Sequence, residues 1–142
     1  MKDLFQQSFI SFVLLTLAGC GWLDVDKYWC SERYELLAID TKSQMNLAFD
    51  MKDGTALGLI GSTVFSIGAD DKYIVVKQHP NTNGLSTFDH SVTKYFVVVR
   101  TQSPEFSSRQ KGVRGPMDKA EFEKLAASLS LPPFSKTFHD LE

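Results

Sequence analysis

Two cysteines, Cys20 and Cys30, and three histidines, His79, His90 and His139, are the side chains through which most chemistry in this 142-residue chain would have to pass. A thiolate is a nucleophile and a metal ligand; an imidazole is a base and a metal ligand. Spacing decides which role is open. No histidine stands at metal-ligand spacing from another histidine or from a cysteine, so neither a metal centre nor a cofactor is expected. Asp89-His90-Ser91 gathers an acid, a base and a hydroxyl in a row. Neighbouring side chains in a loop point apart, however, and a catalytic triad is assembled in space. No Gly-x-Ser-x-Gly elbow, phosphate loop or His-Glu-x-x-His stretch occurs. Asp53, Asp70 and Asp71 fall in turns, where aspartate bonds its own backbone. A calcium loop would need more oxygen ligands at regular spacing. No enzymatic activity is expected, and His79 and His90 are expected at the surface.

Cys20 has a more informative setting. The chain opens MKDLFQQSFISFVLLTLAGC, and Phe9–Leu17 is almost wholly apolar. That run has the length of a signal-peptide core and about half that of a membrane span. Ala18 and Gly19 are small, as a peptidase needs for close backbone approach. The pattern Leu17-Ala18-Gly19-Cys20 resembles the lipobox of bacterial lipoproteins, residue for residue. The resemblance implies that Leu17, Ala18 and Gly19 form the signal-peptidase recognition sequence. It also implies that the Cys20 thiol takes a diacylglyceryl group through a thioether, that cleavage falls before Cys20, and that the new amine is acylated. Several acyl chains hold a protein on a membrane far more firmly than one, at about 0.8 kcal/mol per buried CH₂. Aspartate after the cysteine tends to retain such proteins in the inner membrane. Gly21 stands there instead, so the resemblance implies the outer membrane, facing the periplasm. In a Gram-positive host the place would be the outer leaflet of the single membrane. With Cys20 lipidated, Cys30 is the lone thiol in an oxidising compartment, expected to be buried and inert.

The expected organisation is a cleaved segment 1–19, Cys20 with a short aromatic tether 20–30, and one globular domain 31–142. Tyr28 is eight steps along the chain from Cys20, a reach of at most roughly 30 Å. Trp22 and Leu23 could rest at the lipid interface, while Trp29 is expected to pack into the domain. The formal net charge of −2 gives no basic footprint, so no nucleic-acid partner is expected. The run Arg109–Arg114 reads as a solvated loop.

The body reads as short strands. Tyr34–Asp40 is followed by Met45–Met51, a Lys52-Asp53-Gly54 turn and Thr55–Ile60. Val64–Ile67 leads through Gly68–Asp71 to Tyr73–Lys77. Lys94–Arg100 contains a continuous apolar YFVVV, which marks a strand covered on both faces. The echo between KYIVV and KYFVV reads as two neighbouring strands of ordinary composition. His79–Ser91 and Thr101–Gly115 are polar loops. Asp118 and Glu121 form a capping-box pattern, with Met117 and Phe122 at staple spacing. Phe122, Leu125, Ala126 and Leu129 make one apolar helix face, and Pro132-Pro133 stops the helix. The expected class is α+β, an antiparallel sheet of about five or six strands with one C-terminal helix.

The order KYIVVKQ, TKYFVVV, GPMDKAEFEKLAASLSLP is similar to a family of small uncharacterised bacterial lipoproteins, over roughly residues 55–133. Its motifs are structural, so the resemblance implies fold and location. Two functional expectations follow. The first is a membrane-anchored, non-catalytic binding module, bound to lipid through Cys20 and holding a protein partner. One form of it is an immunity protein against a secreted antibacterial toxin, with the two polar loops as contact surfaces. The second is a structural or accessory envelope lipoprotein. The lipid attachment has a direct test. A Cys20→Ala chain leaves the membrane fraction on cell fractionation; an uncleaved chain that stays bound would identify an ordinary apolar anchor.

Overall fold

In the computed structural model the described residues are 25–83, 87–101, 110 and 112–142. They form two antiparallel sheets and one helix. The first sheet is a meander of β1 (Val25–Ser31), β2 (Tyr34–Ile39), β3 (Asn46–Asp50) and β4 (Ala56–Ile60). The second comprises β5 (Val64–Ala69), β6 (Tyr73–Gln78), β7 (Lys94–Val99), β8 (Val113–Met117) and β9 (Lys136–Thr137). Its spatial order is β8-β7-β6-β5-β9. The helix α1 is Lys119–Leu129.

The expected α+β class stands, with its strands divided between two sheets where one was expected. The physical reason is visible in the alternation. Tyr34, Leu36, Leu47 and Phe49 of the first sheet face Ile67, Ile74, Val76, Phe96 and Val98 of the second in one shared core. Each fully buried aliphatic side chain contributes about 1.5–3 kcal/mol. The intervening residues Val75, Tyr95 and Val97 point the other way and pack against Phe122 of α1. The second sheet is therefore buried on both faces, as the YFVVV run required. The echoing segments are the paired strands β6 and β7, with Val75 opposite Val97.

α1 begins as its sequence specifies. Asp118 accepts a hydrogen bond from the Glu121 backbone N–H at 2.8 Å, and the Glu121 carboxylate accepts from the Asp118 N–H at 2.9 Å. It ends at Leu129, with Ser130 in the left-handed region. The chain then crosses β5 so closely that a Cβ on Gly68 would overlap the Pro133 carbonyl. Beyond it, β9 pairs with β5, and Phe138 and Leu141 close the core. Several hydrogen bonds tie the sheets together. Val64 N–H donates to the Met45 carbonyl at 2.9 Å. Arg100, its side chain 8 % exposed, donates to Ser31 Oγ at 2.7 Å and to the Asp70 carbonyl at 2.9 Å.

Three segments differ from the sequence expectation. Val25–Ser31, read as the end of a tether, is the edge strand β1, and Trp29 packs against the core as expected. Val113–Met117, read as the close of a polar loop, is β8; most of the Thr101–Gly115 loop and part of the Arg109–Arg114 run lie outside the described residues. Lys136–Thr137, too short to show a period, is β9.

Two glycines of one sandwich test the packing. Gly68→Ala costs about 1–3 kcal/mol of unfolding free energy, because the obstacle is backbone. Gly58→Ala, where a Cβ meets nothing within 4 Å, costs nothing and gains up to about 1 kcal/mol. Urea denaturation of both variants checks the contrast.

Candidate functional site

With the second sheet covered on both faces, the outer face of the first sheet is the one on which no other element of the described chain packs. It is concave, with a cavity volume of about 460 Å³. Its shape follows from side-chain size. Ala48, Ala56 and Gly58 on β3 and β4 leave the floor low, and Leu37, Ile39 and Val25 on β2 and β1 raise one wall. A second hollow of about 460 Å³ continues past Gly58 along Leu59–Ser62.

One end of the groove is apolar and the other is charged. Lys27 donates to the Glu35 carboxylate at 2.7 Å. That hydrogen bond, and then the Glu35 charge, hold the Lys27 ammonium above its ordinary value. Asp50 lies nearby, its carboxyl held below the ordinary range first by the Lys52 backbone N–H. Glu35 is 8 % exposed, a buried carboxylate in the wall of an open groove. Such a surface can hold an apolar segment that also carries a polar or cationic group. The Thr55 hydroxyl in its lining donates to the Asp53 carboxylate of the adjoining turn.

The histidines divide differently from the expectation. His79, expected at the surface, is 2 % exposed, with its ring stacked on Phe65 at 4.1 Å. Its Nδ1 lies 2.8 Å from the Val92 carbonyl, which can only accept, so Nδ1 carries the proton. Nε2 is buried without a hydrogen-bond partner among the described residues, as is Thr63 Oγ1. Thr63 and His79 exchange backbone hydrogen bonds at 3.0 and 2.9 Å. The burial comes from the strand-like pairing of His79 with Thr63, which no pattern in the loop sequence marks. His90 sits 4.9 Å from His79, ring to ring. The Ser91 hydroxyl is turned to Asp89 at 2.5 Å, and its N–H donates to the same oxygen at 3.0 Å. Asp89-His90-Ser91 is thus a local turn, with the serine bonded to the acid and the imidazole against another imidazole. Among the described residues, no three His, Cys, Asp or Glu side chains converge as a metal ion would require.

Cys30, expected to be buried, is exposed on β1. Its neighbours in the strand explain this. Cys30 pairs with Glu35, whose side chain points outward, so the thiol follows the outer face. Leu17, Ala18, Gly19 and Cys20 lie outside the described residues, as do Trp22 and Leu23. Among the described residues no helix is long and apolar enough to cross a membrane.

The fold and site define a small two-sheet domain with a concave sheet face on which no other described element packs. The chain belongs to a family described as a protein of unknown function (DUF3997), whose model matches residues 31–141. That span takes in the second sheet and β2, β3 and β4 of the first, and begins at the last residue of β1. No curated protein and no solved structure matches the chain.

The turn carboxylates set an acid limit. Asp53 and Asp89 are held below their ordinary value first by the hydroxyls of Thr55 and Ser91, and Asp140 first by its hydrogen bond from Lys42. A carboxyl with a lowered folded value binds its proton less readily than in the unfolded chain. The stability it supplies is complete above about pH 3.9 and is lost as pH falls through the lower folded values. The urea midpoint therefore drops below about pH 4, and Asp53→Asn with Asp89→Asn blunts the drop. A midpoint unchanged from pH 5 to pH 2.5 would contradict this assignment.

Proposed function

We propose that this chain is a lipid-anchored envelope protein, fixed at Cys20 and facing the periplasm from the outer membrane, and that its domain is a non-catalytic binding module for a protein partner. The observation that carries the binding role is the concave outer face of the first sheet, with an apolar end at Leu37 and Ile39 and a charged end at Glu35 and Lys27. A rigid sandwich behind it preorganises that surface, which lowers the ordering cost of association. The Leu17-Ala18-Gly19-Cys20 pattern supports the anchor. In the form we favour, the partner is a toxin delivered by a neighbouring cell, and the module neutralises it by occupying its surface. Small size, one domain and a tether suit that task.

Gly58 allows the groove to be filled without disturbing the core, since a Cβ there meets open space. In competition between sibling cells, cells carrying Gly58→Phe lose protection by at least about tenfold, while the chain stays in the membrane fraction with an unchanged melting midpoint. Protection that survives the filled groove removes this face from the role. Absence of any sensitivity on deleting the gene removes the immunity role and leaves the envelope-accessory one, which crosslinking to envelope proteins would then identify.

A further inference from the structure

Among the described residues the exposed large hydrophobic side chains are Val25, 46 % exposed, and Ile39, 38 % exposed. They are not scattered. Val25 opens β1 and Ile39 closes β2, and the two are directly opposite each other in the antiparallel register. Both lie at the end of the first sheet nearest the N-terminal segment. Val25 is five steps along the chain from Cys20, so a lipidated Cys20 lies at most about 18 Å from this corner. The opposite end of the sheet, with the Lys52-Asp53-Gly54 turn, is a strand length farther away.

We propose that the Val25–Ile39 corner is a membrane-contacting surface, seated on the phospholipid interface beside the anchor. This seating rests on the lipid attachment at Cys20 proposed above. Two apolar side chains are too little to bring a free protein to a bilayer, but a short tether makes the contact intramolecular and keeps its local concentration high. The charged groups nearest the corner indicate what kind of contact it is. Lys27 is bonded to Glu35, and Lys42 to Asp140 at 2.7 Å. Asp26 and Asp40 are exposed beside them. Among the described residues no unpaired basic cluster is present there to seek anionic headgroups, so the contact is apolar and insensitive to salt. The seating also orients the groove, whose apolar end then opens at the lipid surface and whose charged end stands away from it.

The test uses the full lipidated chain, reconstituted in phosphatidylethanolamine–phosphatidylglycerol vesicles containing a nitroxide-labelled lipid. Cys30 is replaced (Cys30→Ser), and a fluorophore is placed at Thr41→Cys beside the corner or at Thr55→Cys at the far end, both exposed positions. Quenching is expected to be at least threefold stronger at position 41 than at 55, and to persist in 1 M salt. Ile39→Asp, and separately Val25→Asp, erase the difference while the chain remains vesicle-bound; both side chains are exposed, and an unchanged melting midpoint verifies the fold. Equal quenching at the two positions in an anchored chain overturns the seating and leaves the anchor intact. So does a difference that survives both aspartate variants, or a corner that crosslinks to a second copy instead. A wild-type chain that fails to stay with the vesicles overturns the anchor, and the seating with it.

Discussion

Strands β6 and β7 are apolar on both faces, and the rest of the domain is arranged around that fact. A two-faced strand needs two covers, because leaving either row in water forfeits the burial of a whole set of branched side chains. Ile74, Val76, Phe96 and Val98 are covered by the first sheet. Val75, Tyr95 and Val97 are covered by α1, with Phe122 stacked on Tyr95 at 4.9 Å. The chain has one long helix among its described residues; the helix goes to the second sheet, and no other described element packs on the back of the first.

The C-terminal segment follows from the same constraint. After α1 it must return across the outer face and close the sandwich at β5. Gly68 makes the crossing possible at backbone contact, and Lys77 extends its ammonium over the Phe134 ring at 4.7 Å, so that an aliphatic stem adds to the cover while the charge stays near water. Phe138 then meets Tyr28 edge-on at 6.0 Å, and Lys136 donates to the Tyr28 carbonyl at 2.6 Å. These contacts join the last strand to the first, and they make β1 part of the domain.

That junction also explains which parts of the fold were legible in the sequence. The hairpins and the helix are encoded locally, by the Asp53-Gly54 and Gly68–Asp71 turns, alternation and a capping box, and each was readable where it stands. β1 was not, because VDKYWCS mixes charges and aromatics with no clean period, and its shape comes from pairing with β2 across a bulge between Lys27 and Trp29. β8 contains Gly115 and Pro116, residues that argue against a strand, and is held by partners on β7. The division into two sheets is a long-range property that no single segment records. The candidate site is illegible for a further reason. A groove is defined by what is small, and Ala48, Ala56 and Gly58 carry no chemical signature; they matter because taller neighbours stand on the adjacent strands.

The chemistry-bearing residues changed places for the same reason. Cys30 has the composition of a buried residue and is exposed, while His79 looks like a loop histidine and is buried. In both cases the register decided. Cys30 falls on the outward set with Glu35, on the face the fold leaves open. His79 lies just past the end of β6 and is buried by its pairing there, where Thr63 supplies its backbone partners and Phe65 its stacking surface. Residue type fixes what a side chain can do, but the parity of its place in a strand fixes what it meets. In this domain parity sends the aliphatic rows inward and assembles on the remaining face a wall of apolar side chains, a buried carboxylate with its lysine, and a floor low enough to admit another molecule.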